Sequence, residues 1–214
     1  MNNSQDLTFY YAPRSRADTV LWMLEETGVP YRLELLRLKK GEHKRPEYLA
    51  INPMGKVPAI IHHAPRGDRV VTESAAICAY LAEVNPDADL LPYDDETADY
   101  FRWLFFAAGP LESAIVSTYL GFAPKPEQER TAGWGNYERT MGTLEAHLDT
   151  RTFVCGKRFT MADVYVGSQL DWGLNFGSVP PNEAFVGYVQ RLQAREAYKA
   201  AKAIDNALIE ERRK

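Results

Sequence analysis

Two short stretches concentrate the residues whose types and spacing can do chemistry. They are Asn52-Pro53-Met54-Gly55-Lys56-Val57-Pro58 and, about 15 residues later, Thr72-Glu73-Ser74-Ala75-Ala76-Ile77. A proline at the start of a strand cannot donate a ladder hydrogen bond, so Val57-Pro58 suits an edge or a turn. A cis peptide there would aim the Val57 backbone outward at an extended ligand. A peptide can pair with such a backbone as an added strand. Glu73-Ser74 stands where a strand runs into a helix. The Ser74 hydroxyl and nearby N–H groups can bind a carboxylate there with help from the helix dipole, and Glu73 supplies the charge opposite an ammonium group. One end of such a site wants the zwitterionic head of an amino acid, and the Val57 backbone wants a peptide beyond it.

The elements that position these residues follow from hydrophobic periodicity. Residues 7–11 form an aromatic-rich strand that stops at Ala12-Pro13. A helix follows over 15–27, with Ala17, Val20, Leu21 and Leu24 at helical spacing and Gly28 as its stop. Residues 31–36 read as a second strand, 57–61 as a third, and 70–72 as a fourth after a turn at 65–68. A helix over 74–84 closes a β-α-β, then β-β-α order. The Pro-, Asp- and Asn-rich run 85–95 is the expected linker between a first domain at 1–84 and a second at 96–214. Beyond it only helical periods are convincing, over 97–119, 127–148, 161–174, 182–193 and 196–207, so the second domain is all-α. Thr160-Met161-Ala162-Asp163 reads as a helix N-capping signal that serves folding rather than catalysis.

Bulk properties exclude several classes. The chain has 214 residues, 45% of them hydrophobic, and a formal net charge of −4. No basic run outside the last few residues offers a footprint for phosphate backbones, so nucleic acid is not an expected partner. The longest apolar stretch, 103–108, is far shorter than the roughly 20 residues a membrane span requires, and no secretory leader pattern precedes it. These features point to a cytoplasmic protein without membrane contact. Cys78 and Cys155 are the only cysteines, spaced like neither a metal site nor a disulfide framework, and read as buried thiols. No metal is expected.

The Tyr-Tyr-Ala-Pro-Arg-Ser turn at 10–15, the Val57-Pro58 step, the Glu73-Ser74 pair and the helical half with Phe159-Thr160-Met161-Ala162-Asp163 together resemble the cytosolic glutathione transferase family, over nearly the whole chain. That resemblance implies an N-terminal α/β thioredoxin-like domain joined to an all-α C-terminal domain. It implies that Glu73 and Ser74 grip the γ-glutamyl head of glutathione, that Val57 before a cis Pro58 pairs its backbone, and that Lys56 or His43 neutralises the glycine end. It further implies glutathione as co-substrate with no bound cofactor, a small apolar electrophile as second substrate, and a homodimer.

A free thiol with a pKa near ~8.5 is only slightly ionised at neutral pH, and lowering that value by about two units takes roughly 2.7 kcal/mol of differential stabilisation. An oriented hydroxyl at a helix N-terminus beside a cation is of the right order. Ser15 holds the position of the catalytic serine in the serine-type, bacterial-like branches that the chain resembles, and is the first candidate; its other reading is a simple helix cap. Tyr10 and Tyr11 are the alternatives, because other branches use a tyrosine near the end of the first strand. Arg14 and Arg16 flank the turn and either add positive potential or are merely solvated. No cysteine stands between residues 10 and 18, which argues against thioredoxin-like, glutaredoxin-like or cysteine-type chemistry. Most aromatic residues of the helical half belong to its core; by resemblance Phe106, Pro110 and Trp172 line a pocket for electrophiles. The favoured activity is conjugation of glutathione thiolate. Its rivals are glutathione-dependent isomerisation, dehalogenation or peroxide reduction on the same fold, and a non-catalytic binding module.

Overall fold

The computed structural model describes residues 6–211. Its elements in chain order are β1 (Leu7–Tyr11), α1 (Ala17–Thr27), β2 (Arg32–Leu35), α2 (Pro46–Leu49), β3 (Ala59–Ala64), β4 (Gly67–Thr72), α3 (Ser74–Val84), α4 (Thr97–Phe106), α5 (Glu112–Tyr119), α6 (Tyr137–Leu148), α7 (Met161–Phe176), α8 (Glu183–Gln193) and α9 (Glu196–Glu211). Two compact units result. One joins the described residues up to Asp89 with those from Arg195 onward, and the other is Leu90–Ala194.

In the first unit the sheet runs β2-β1-β3-β4, with β1 parallel to β2 and antiparallel to β3, and β3 antiparallel to β4. The parallel pair needs a crossover, which α1 supplies; the antiparallel pair needs only the tight turn at Pro65-Arg66. Leu7, Phe9 and Tyr11 alternate onto one face of β1 and are buried. Every residue of α1 from Ala17 to Leu24 is buried, between β1, α3 and α9. Full burial of Val20, Leu21, Met23 and Leu24 contributes about 1.5–3 kcal/mol each. Gly28 ends α1 in the left-handed region at φ 64°, its N–H donating to the Leu24 carbonyl.

The final helix departs from the expected division. Instead of completing the helical half, α9 packs along α1. The Tyr198 ring meets Trp22 edge-on at 5.2 Å, and Arg195 donates to both Glu26 carboxylate oxygens at 2.7 Å. The amphipathic period of residues 196–207 announces a helix but not the surface that accepts its apolar face.

In the second unit α7 is the central helix, packed against α4 and α8 and buried along most of its length. Two expected helices are shorter than their periodicity suggested. The run 97–119 is divided by a wide π turn at Ala107–Leu111, where Pro110 has no N–H to continue an α-helical ladder. The run 127–148 becomes helical only from Tyr137. Gly135 takes φ 67°, and the Asn136 side chain accepts from the Arg139 N–H at 2.8 Å, capping a new start. At Gly173 a Cβ would stand 2.1 Å from Val179 Cγ2, so only glycine lets that segment lie on α7.

Thr160 and Asp163 do form a capping box at the start of α7. The Asp163 carboxylate accepts from the Val154 N–H at 2.7 Å, the Thr160 N–H at 2.8 Å, the Thr160 hydroxyl at 3.1 Å and the Tyr188 hydroxyl at 2.8 Å. It thereby ties α7, the preceding loop and α8 together. Burial pushes its carboxyl up to about 6 against the opposing pull of those hydrogen bonds.

Candidate functional site

Register across the sheet brings the chemically informative segments to one end. Tyr10 is paired with Ala59, and Ala59 with Thr72. The turn that leaves β1, the Val57-Pro58 step that enters β3 and the Glu73-Ser74 step that leaves β4 therefore emerge side by side. The Ser74 hydroxyl reaches the Arg16 carbonyl at 3.4 Å, so the Ser74 and Ser15 turns adjoin.

The Val57-Pro58 bond is cis, and the β3 ladder begins only at Ala59. The loop before it is held rigidly. The Lys56 carbonyl accepts from the Tyr48 hydroxyl at 2.5 Å and from Asn52 Nδ2 at 2.8 Å, while Asn52 Oδ1 accepts from the Met54 N–H. Gly55 sits at φ 59°, where a Cβ would come within 3.0 Å of the His43 carbonyl, so glycine allows this loop to lie on the His43 segment. The His43 segment thus lies against Gly55, the residue before Lys56. Lys56 is exposed, and His43 Nδ1 is buried without a hydrogen-bond partner.

Glu73 is exposed and occupies φ 68°, ψ 119°, a conformation that L residues rarely adopt. It precedes an eleven-residue helix whose N-terminus receives no side-chain cap. The first N–H groups of α3 and the Ser74 hydroxyl are thereby presented to an anion, with the dipole adding to the attraction.

Ser15 is half-buried one residue before the N-cap of α1. Its hydroxyl donates to the Ala12 carbonyl at 2.7 Å and accepts from the Ala17 N–H at 3.1 Å. It therefore does cap the helix, and the same hydroxyl rotor stands at the positive end of α1. Arg14 is exposed in the left-handed region at φ 56°. Tyr11 is fully buried, and its hydroxyl is occupied by Asp18 at 2.8 Å and Asp205 at 2.5 Å. Burial, followed by those carboxylates, drives its pKa far above the ordinary phenol value. Its candidacy as the group that activates a thiol ends there, because its proton is already committed inside the core. Tyr10 points to the opposite face of the sheet, its ring 5.4 Å from that of Tyr48, beside a cavity of about 280 Å³ that Leu36, Arg45 and Ile51 help to line. Burial, then Glu34, raises its pKa, while Arg32 opposes the shift.

The three residues expected to line an electrophile pocket lie in the second unit. Phe106 is at the end of α4 with its ring 5.1 Å from Trp103, Pro110 is in the π turn, and Trp172 on α7 meets Phe176 in a tilted pair at 5.0 Å. All three are half-buried. Both cysteines are buried; desolvation drives the Cys78 thiol well above its ordinary value and pushes Cys155 up to about 12. Neither is a nucleophile at neutral pH. Sequence reasoning overlooked Tyr48, Asn52, Asp18 and Asp205. Asn52 stands inside the motif and signals a turn; the others carry no local signal of their roles. Among the described residues no group of three His, Cys, Asp or Glu is arranged to hold a metal, and no helix is long and apolar enough to cross a membrane.

Comparison with known proteins bears on the family and the fold. The family model for the glutathione S-transferase N-terminal domain matches residues 15–84, and that for the C-terminal domain matches 127–172. Glutathione S-transferase 3 of Zea mays is 32% identical over 159 residues, covering 67% of each chain. The disulfide-bond oxidoreductase YfcG of Escherichia coli K12 is 29% identical over 170 residues, covering 74% of this chain and 76% of its own. A glutathione transferase homologue from Sulfitobacter, solved with bound glutathione, superposes with a TM-score of 0.72 at 25% identity, over 94% of this chain and 98% of its own.

Proposed function

The chain belongs to the glutathione S-transferase family, and from that premise we propose that it binds glutathione at the shared end of the sheet and transfers its thiolate to a small apolar electrophile. The observation that carries this reading is the convergence of the Ser15 turn, the cis Val57-Pro58 step and the uncapped N-terminus at Glu73-Ser74. Glu73 and Ser74 take the γ-glutamyl ammonium and carboxylate. The Val57 backbone pairs with the cysteinyl unit, and Lys56 or His43 holds the glycyl carboxylate.

Ser15 is the thiol-activating group in this reading. A short rotation redirects its proton from the Ala12 carbonyl to the glutathione sulfur, and the helix N-terminus behind it favours the anion. The thiol proton leaves to solvent; attack by the thiolate then forms a carbon–sulfur bond while the leaving group departs with its bonding pair, or, at an activated double bond, the displaced electron pair takes up a proton from water. The protein contributes no thiol. Phe106, Pro110 and Trp172 remain the proposed lining for the electrophile, and two chains are proposed to associate as a homodimer, the second by resemblance alone.

Replacing Ser15 with Ala tests the assignment. Turnover of an electrophile panel should fall by about 10²-fold or more, the scale on which a lost transition-state hydrogen bond is felt, while glutathione affinity changes little. Unchanged turnover would return the role to Tyr10.

A further inference from the structure

The Ser15 turn is held from behind by a pair of buried aspartates drawn from opposite ends of the chain. Asp18, in the first turn of α1, donates its backbone N–H to the Ser15 carbonyl at 3.0 Å. Asp205, on α9, accepts the Arg14 backbone N–H at 3.4 Å. The Tyr11 hydroxyl lies against both, at 2.8 Å and 2.5 Å. A phenol has one proton to donate, so its hydroxyl links the two carboxyl groups through a single shared oxygen. Lys202 of α9 is the cation whose field reaches Asp18. Its contacts fall on consecutive residues of one turn: Arg14, which sits at φ 56°, and Ser15 itself.

We propose that Asp18 and Asp205, bridged by Tyr11, are positioning residues that fix the Ser15 hydroxyl for thiol activation, so that the last helix of the chain sets the efficiency of the first turn. This rests on the function proposed above. A left-handed arginine is strained and persists only where the surroundings over-determine it; the Asp205 carboxylate on the Arg14 N–H contributes that constraint here. Without Asp205, Arg14 is free to relax and Ser15 swings with it. Among the described residues no hydrogen bond joins Glu73, Ser74 or Val57 to Tyr11, Asp18 or Asp205, so the grip on glutathione is separable from the activation of its thiol.

The experiment is a pH titration of the ultraviolet thiolate absorbance of bound glutathione, with affinity measured in parallel by calorimetry. In Asp205→Ala the midpoint should rise by about one unit, a tenfold loss of thiolate at a given pH, with affinity within about threefold of the wild type. Asp205→Asn keeps an acceptor for the Arg14 N–H and should restore the midpoint. Should Asp205→Ala lose its circular dichroism, Tyr11→Phe, which removes only the bridging oxygen, is read in the same way. A wild-type midpoint in the folded variants, or equal losses in Asn and Ala, overturns the proposal. Wild-type protein that binds glutathione without ionising it overturns the thiolate reading as well, and that outcome is visible before any variant is made.

Discussion

Replacing Asp163 by alanine should bring the protein close to unfolding at neutral pH. The carboxylate is completely buried and satisfies the Val154 N–H, the Thr160 N–H and the Tyr188 hydroxyl, each at 2.7–2.8 Å. Truncation leaves those three donors without acceptors, and each buried orphan costs about 1–3 kcal/mol. The expected loss is therefore about 3–9 kcal/mol, against about 5–15 kcal/mol for the whole stability of an ordinary domain. Asparagine is a graded control. Its Oδ1 can still accept from Val154 and Tyr188, while its Nδ2 meets the Thr160 N–H donor to donor, so one orphan remains and the loss should be about 1–3 kcal/mol. Urea unfolding followed by tryptophan fluorescence reads both, since Trp103 is buried in the same unit. A loss below about 1 kcal/mol for Asp163→Ala, or equal losses for the two variants, would refute this accounting.

The pH dependence of stability follows from the same carboxyl. Burial holds both Asp163 and Asp18 up to about 6, above the unfolded value near ~3.9, so the fold favours their neutral forms. The stabilisation they contribute is complete below about pH 4 and is lost as pH rises through about 6; Asp163→Asn should flatten the urea midpoint across that window, and an unchanged slope would contradict the assignment. Glu73→Gly relieves the φ 68° conformation and should raise stability by up to ~1 kcal/mol while glutathione affinity falls at least about tenfold, one lost charged contact. Stability and binding that fall together would show that the strained backbone serves packing alone.

The order of the four strands and of α1 and α3 in the first 84 residues was legible because each carries its own local signal, whereas the four-residue α2 in a run without a strong period was not. Aromatic alternation marked β1, a 3.6 period closed by Gly28 marked α1, and Val57-Pro58 and Glu73-Ser74 marked the two steps beside the site. The capping box at Thr160 was readable for the same reason, since its partners are three residues apart. The remaining features depend on distance or competition. Asp205 lies 194 residues from the Tyr11 hydroxyl it engages, and no periodicity in α9 points to that contact. Tyr10 and Tyr11 were indistinguishable as adjacent aromatics; only strand alternation sent one into the carboxylate cluster and the other to the far face. The helix ends were misread where Pro110 and Gly135 interrupted a hydrophobic period that continued through them.

The most direct test of the central claim is a calorimetric titration of the purified protein with reduced glutathione, repeated with Ser74→Ala. Saturable binding at one site per chain, markedly weakened in the variant, is the predicted result. Absence of saturable binding at millimolar glutathione, or binding indifferent to Ser74, would contradict the assignment of the shared end of the sheet as the glutathione site.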